Sequence, residues 1–151
     1  MSVLDGAEFA SWRSSAERTL DAGAQLATTG SSEWACFLAE QAAQLGVEGV
    51  LHGLGEPGWG HDLTVLVANL HRALAGAEPT RVDVGPAGAD DGAARPSRHD
   101  IPARYPDAHP AGPPAAHYRA SDATDALADA RAVLAWADAA WELVRTASGP
   151  P

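Results

Sequence analysis

Four long stretches of the chain carry apolar side chains at the three- and four-residue spacing of an amphipathic helix. Asp5 and Glu8 form a capping box before the first stretch, which predicts a helix over about residues 6–28 that ends at Gly30. The apolar positions of this helix are Phe9, Trp12, Ala16 and Leu20.

The second helix is predicted to begin at Ser31 or Ser32, either of which can cap it, and to stop before Gly55. The large side chains expected on one side of it are Trp34, Phe37, Leu38, Gln41, Leu45 and Leu51. Because the first two helices are long and their connection is tight, we expect them to pack antiparallel.

The third and last helices follow the same pattern. Asp62 is a good cap for the third helix, which runs out at Gly76, and Ser121 is a good cap for the last helix, which ends at Gly149. Their apolar stripes consist of Leu63, Leu66, Val67, Leu70 and Leu74, and of Ala123, Leu127, Ala130, Leu134, Ala137, Trp141 and Val144. Nothing alternates like a strand, so the predicted fold class is all-α, an antiparallel helical bundle of four main helices.

Residues 76–97 interrupt the helical pattern with Pro, Gly, Ala and Asp. Long stretches of this composition inside compact domains are usually functional or mobile, so we predict a flexible loop here, in which a short fifth helix can form near residues 90–97. A chain of 151 residues fits one domain and can bury a core. We therefore predict a single domain over residues 1–151 with a tail at 148–151.

Composition excludes several classes of function. A net charge of −10 argues against broad, sequence-independent affinity for nucleic acid, because neutralising phosphates is the main source of that affinity. The apolar runs are short, and neither a signal peptide nor a spanning helix is visible, so we expect a cytoplasmic protein without membrane contact. Cys36 is the only cysteine, which excludes an intrachain disulfide, and its apolar neighbours indicate a buried thiol.

Positive charge is concentrated between residues 95 and 119, which contain four arginines and two aspartates in an otherwise acidic chain. Within this segment, Arg104 and His109 are separated by four residues. Imidazole exchanges protons near neutral pH with an attacking 2′-hydroxyl or a leaving 5′-oxygen, while a guanidinium holds the phosphate and offsets its charge. The pair therefore has the two groups that metal-independent RNA cleavage needs, although this spacing also occurs by chance in many proteins, and Arg98 and His99 are further phosphate-binding candidates. The alternative is a rigid loop in which Tyr105 packs and the charged residues pair.

Several motifs resemble the HEPN domain. They run in order from about Phe9 to Trp141 and therefore span nearly the whole chain. The motifs are Gln41-Ala42-Ala43 in the helix that begins near Trp34, Gly60-His61-Asp62-Leu63, the block Ile101-Pro-Ala-Arg-Tyr-Pro-Asp-Ala-His-Pro110, Tyr118, and Asp122-Ala123 at the start of the last helix.

The resemblance implies an α-helical bundle that commonly forms homodimers. The family includes ribonuclease toxins, whose signature is an Arg followed after four to six residues by a His, and which are often encoded beside a nucleotidyltransferase that acts as antitoxin. Other members are nucleotide-binding or partner-binding helpers without cleavage activity. The signature maps to Arg104 and His109, and neither a cofactor nor a metal is implied.

The chain departs from the ribonuclease branch in the motif itself. Tyr105 follows the arginine where a small polar or charged residue is usual, and Pro106 and Pro110 flank the rest. Because proline interrupts helices, the stretch from Arg104 to His109 is predicted not to form a continuous helical turn. Ala111 stands where some of the toxins carry a tyrosine that the partner enzyme modifies. Cleavage and non-catalytic binding therefore both remain open at this point.

The remaining candidates receive simpler interpretations. The pair His61-Asp62 is used by some metal phosphohydrolases, but Asp62 already has a sufficient role as a helix cap, so we predict no metal site. His52 and His71 are expected to be surface or packing residues. The tryptophans are expected to fill the core, except Trp59, which lies in a Gly-Pro loop and is expected to be exposed.

Overall fold

The computed structural model describes residues 3–75 and 96–149, and within these ranges it contains helices and turns but no strand. The long helices are α1 (Gly6–Thr28), α2 (Ser32–Gly53), α3 (Leu63–Ala75) and α4 (Ala120–Ala147). Two short 3-10 turns, Pro106–Ala108 and Pro114–Ala116, precede α4. The all-α class with four main helices is confirmed. Most of the expected loop at 76–97 and of the short helix near 90–97 lies outside the described residues.

The helices α1 and α2 pack antiparallel, as their lengths and short connection predict. Gly23 near the end of α1 lies against Ala35 near the start of α2, while Gly49 near the end of α2 lies against Trp12 near the start of α1. The helix α4 also runs antiparallel to α1, because Trp141 near its end lies beside Gly6. The helix α1 is therefore antiparallel to both α2 and α4.

The helix α2 is the centre of the bundle, because α1, α3 and α4 all pack against it. The fully buried positions of α2 are mostly small: Ala35, Cys36, Ala39, Ala42, Ala43, Gly46, Val47, Gly49, Val50 and Gly53. Of the large side chains expected on one side of α2, Leu51 is buried, whereas Trp34 is 45% exposed and Phe37, Leu38, Gln41 and Leu45 are only partly buried. Most of the α2 positions that face the three neighbouring helices carry small side chains instead.

The tryptophans divide between the core and the surface. Trp136 and Trp141 of α4 are buried, as expected, and Trp59 is 83% exposed, as its loop predicts. Trp34 lies on the open edge of α2 and Trp12 is only partly buried, so the expectation of a tryptophan core is wrong for these two residues.

Three of the four predicted cap positions are confirmed and one is wrong. The Asp5 carboxylate accepts a hydrogen bond from the Glu8 backbone N–H at 2.9 Å, and the Asp62 carboxylate caps α3. Ser31 is the N-cap residue of α2, although its side chain makes no capping hydrogen bond. Ser121 is not the cap of α4, because the helix begins at Ala120 and its N-cap residue is Arg119. The Arg119 N–H donates to the carboxylate of Asp122 at 2.7 Å, as in a capping box. None of the helices in the described ranges is long and apolar enough to cross a bilayer.

Candidate functional site

We call the described residues 96–119, between α3 and α4, the motif segment, and this segment is a series of tight turns. The backbone N–H groups of Arg104 and Tyr105 both donate to the carbonyl of Ile101, at 3.0 and 3.2 Å. Tyr105 and His109 then have extended backbone conformations on either side of the 3-10 turn Pro106–Ala108. The prediction that proline prevents a continuous helical turn between Arg104 and His109 is confirmed.

Arg104 is fixed from two directions. Its Nε donates to the Asp100 carbonyl at 2.7 Å, and its Nη2 donates to the Asp100 carboxylate at 2.9 Å. The guanidinium also lies over the rings of Phe37 and Tyr105, at 4.7 and 5.0 Å from the ring centroids. Arginine has five N–H donors, so the two bonds to Asp100 leave donors on a guanidinium whose position is already set. Since Phe37 belongs to α2, these contacts hold the motif segment against the central helix.

Beside Arg104, α2 contributes a buried carboxylate that the sequence analysis missed. Glu40 is fully buried and accepts hydrogen bonds from the amides of Gln41, at 2.7 Å, and Gln44. Burial is the main cause that raises the pKa of Glu40 to about 7; the hydrogen bonds from Gln44 and Gln41 oppose the shift, and the smaller effects of Asp100 and Arg104 have opposite signs. The available sequence signal was its position among the small residues Ala39, Ala42 and Ala43, which marks the inner face of α2.

His109 is also fixed, but by other groups. Its Nε2 lies 2.7 Å from the carbonyl oxygen of Pro102. A carbonyl can only accept, so Nε2 is the protonated nitrogen and Nδ1 has the free lone pair of the neutral ring. The ring stacks on His117 with 4.2 Å between centroids and an interplanar angle of 3°, and Tyr118 meets it edge-on at 6.4 Å. His109 is partly exposed and His117 is exposed.

Arg98 and His99 differ sharply in their surroundings. Arg98 is exposed, whereas His99 is only 5% exposed, and its Nδ1 lies 3.1 Å from the Tyr118 hydroxyl. Burial lowers the pKa of His99 to about 4, and the charge of Arg98 adds to this shift. Burial also raises the pKa of Tyr118 to about 12. Both members of this hydrogen-bonded pair are therefore neutral at pH 7.

The structure brings Arg104 and His109 onto one segment but gives them different neighbours. Arg104 contacts Asp100 and α2, and His109 contacts Pro102 and His117. Within residues 3–75 and 96–149, no hydrogen bond or ion pair joins the two motif side chains.

The surface around Arg104 is apolar. Trp34 meets Phe37 edge-on at 6.0 Å, and the Arg104 guanidinium lies over the same phenyl ring. Ile101 and Tyr105 on the motif segment are also exposed. We call Trp34, Phe37, Ile101 and Tyr105 the aromatic edge. The rings of two of its members, Phe37 and Tyr105, lie against the guanidinium of Arg104.

The other histidines of the core have structural roles. His52 stacks on Trp12 with 4.4 Å between centroids, and His71 meets Trp136 edge-on at 5.4 Å, so both are packing residues as expected. Asp62 accepts from the Thr64 N–H and hydroxyl, and these bonds lower its pKa. Across the described part of the chain, no three His, Cys, Asp or Glu side chains converge as metal ligands would.

The family of the chain follows from comparison with known proteins. A model of the HEPN domain matches residues 9–140, which is most of the sequence. The chain belongs to the HEPN family. The resemblance found in the motifs is therefore confirmed.

Two solved structures share the fold of this HEPN protein. TT1696 from Thermus thermophilus is 32% identical with a TM-score of 0.76, over 88% of this chain and 98% of that one. ST0689, an archaeal HEPN homologue, is 28% identical with a TM-score of 0.68, over 87% of this chain and 96% of that one. A comparison with curated proteins found no match.

Proposed function

We propose that this HEPN protein is a homodimeric, metal-independent endoribonuclease of the cytoplasm, in which His109 transfers protons and Arg104 binds the scissile phosphate. The observation that supports the proposal is the fixed position and the free Nδ1 atom of the His109 ring. Its ring is held by a carbonyl and by a second imidazole, while Nδ1 of a partly exposed ring is left to accept a proton. A general base needs this combination of fixed geometry and a free lone pair.

Arg104 is suited to binding phosphate because its position is set before any ligand arrives. The aromatic edge and Asp100 hold the guanidinium, so binding a phosphate costs little side-chain entropy. In this proposal, exposed Arg98 supplies a second positive charge near the phosphate. His99 is buried and neutral, so it acts indirectly by orienting Tyr118.

We propose a dimer because Arg104 and His109 have separate surroundings within one chain. One chain offers Arg104 and His109 to different neighbours, so we propose that Arg104 of one copy and His109 of another complete one site. The exposed apolar side chains of the aromatic edge support this arrangement, because apolar surface around a charged group is typical of an interface.

The test is cleavage of a structured RNA in the presence of a chelator. We expect His109→Ala to lower the rate about 10²–10⁴-fold, the usual contribution of a general acid or base. Arg104→Ala should also abolish most cleavage, while Arg18→Ala, at an exposed position of α1, should cleave like the wild type. Cleavage that is equally fast in His109→Ala would refute the proposal, as would a wild type that does not cleave. Light scattering measures the mass of the particle and tests the dimer.

A second candidate function is a non-catalytic one, in which the protein binds a nucleotide or a nucleotidyltransferase partner. The observation that favours it is the ion pair between Arg104 and Asp100, which already neutralises the proposed phosphate-binding residue. This function predicts no RNA cleavage, no growth arrest on expression, and binding of a nucleotide or of the partner protein that calorimetry detects.

A further inference from the structure

We propose that His117 is a second proton-transfer group, so that the stacked pair His109–His117 supplies both the base and the acid of RNA cleavage. This inference rests on the proposed ribonuclease function. His117 lies outside the Arg-to-His signature, and the fold alone brings it to His109. The two rings are nearly parallel and their centroids are 4.2 Å apart.

The hydrogen bonds of the two rings match. His109 Nε2 donates to the carbonyl of Pro102, and His117 Nε2 bonds to the carbonyl of Ala111. Because a carbonyl accepts only from a protonated nitrogen, both rings are fixed as the same tautomer. Nδ1 of each ring is therefore the atom that can gain or lose a proton, and two such atoms lie in adjacent, stacked rings.

Stacking also divides the protons between the two rings. Two imidazolium ions this close repel each other, so the first proton makes the second harder to add. Tyr118 meets His109 edge-on, and His99 lies behind its hydroxyl, but both are neutral near pH 7 and offset no charge. The charged residues beside the pair along the chain are Asp107, before His109, and Arg119, after His117. Acid–base cleavage needs one ring to accept a proton and the other to donate one, so the singly protonated pair is the state that can act.

The reaction then balances without another reagent. Neutral His109 accepts the proton of the 2′-hydroxyl as that oxygen forms a bond to phosphorus. His117, as the imidazolium, donates a proton to the 5′-oxygen as the bond between phosphorus and that oxygen breaks. The products are a 2′,3′-cyclic phosphate and a free 5′-hydroxyl. We assign the acid to His117 because the more exposed ring holds its charge in contact with water.

The decisive variant is His117→Phe, which keeps a flat ring for stacking but cannot carry a proton. On ordinary RNA we expect its rate to fall about 10²–10⁴-fold. On RNA with sulfur in place of the scissile 5′-oxygen, the leaving thiolate needs no proton, so the variant should cleave at nearly the wild-type rate. His109→Ala should stay slow on both substrates, because its defect lies in activating the 2′-hydroxyl. His61→Phe, at an exposed position, is the matched control and should behave as wild type on both.

The inference is overturned if His117→Phe cleaves ordinary RNA at the wild-type rate or if the sulfur substrate does not rescue it. A wild type that cleaves no RNA overturns the ribonuclease function itself, and the role of His117 with it.

Discussion

Replacing Glu40 by Gln should make the free energy of unfolding less dependent on pH. Burial raises the pKa of this carboxyl from 4.5 to about 7 in the folded protein. Between these two values the folded chain binds a proton that the unfolded chain has released, so stability falls as pH rises. Below pH 4.5 the group costs nothing, and above about pH 7 the full cost of burying its charge is present.

The magnitude follows from the width of that window. A change from pH 5 to pH 8 covers about two of the pH units between the unfolded and folded pKa values of Glu40, and each unit is worth about 1.4 kcal/mol. Ionisation of Glu40 should therefore lower the free energy of unfolding by up to about 3 kcal/mol. Gln at this position has no charge to bury. Its oxygen can still accept from Gln44, and the partly exposed Gln41 amide can turn to accept from the new NH₂ group.

The assay is urea denaturation of wild type and Glu40→Gln at pH 5 and pH 8. The two proteins should have similar stability at pH 5, and the variant should be more stable at pH 8 by up to about 3 kcal/mol. Glu17→Gln, on the exposed face of α1, should follow the wild type at both values. If the difference between Glu40→Gln and wild type is the same at pH 5 and pH 8, the carboxylate is not held in its buried, uncharged form and the reasoning is refuted.

Three further predictions concern the bundle. Gly49→Ala should lower the free energy of unfolding by about 1–3 kcal/mol, because the new Cβ would lie 2.9 Å from Trp12 Cβ and would force α1 and α2 apart. A double-mutant cycle on Arg13 and Asp138, whose ion pair joins α1 to α4, should give a coupling energy of about 1 kcal/mol or less that shrinks in high salt. Cys36 should resist a thiol reagent in the folded protein, because it is buried and its pKa is raised to about 12.

Each of these has its own control. Ser14→Ala on the exposed side of α1 should leave stability unchanged, and equal losses in both variants would remove the steric explanation for Gly49. The Arg145–Glu142 pair, exposed within α4, should give a smaller coupling energy than the Arg13–Asp138 pair. The thiol should react fully in denaturant, and fast labelling under native conditions would contradict its burial.

The positions of the helices could be predicted because local chemistry decides them. Asp5 and Asp62 satisfy backbone N–H groups within three residues of themselves, and Gly30 and Gly55 have the positive φ angles that follow the ends of α1 and α2. The cap of α4 was missed because the helix begins at Ala120, before Ser121, and Asp122 accepts from the Arg119 N–H. The partial exposure of most large side chains of α2 was missed because burial depends on how many helices surround it.

The candidate site, too, could be predicted from the sequence only where local chemistry decides the structure. Proline chemistry was sufficient to predict that the segment from Arg104 to His109 is not a helix. The contact of Arg104 with Phe37 joins residues far apart in sequence, and the pairing of His109 with His117 requires the chain to turn back between them. Neither contact leaves a periodic signal, so only the folded chain reveals that Phe37 contacts Arg104 and that His117 stacks on His109.

The glycines of α2 should be constrained by stability, whereas the exposed positions of the motif segment should be constrained by activity. Gly49 lies against Trp12 and Gly53 lies against Trp141, whose Cζ3 would be 2.5 Å from a Cβ at that position. In a scan of all single substitutions, these positions should reject every side chain in proportion to its volume, whatever its chemistry. Positions such as Arg98 and His117 are exposed and should tolerate substitution in a screen for abundance while failing in one for activity. Substitutions at the glycines of α2 would then be limited by the stability of the bundle. Exposed side chains of the motif segment could be replaced without unfolding it.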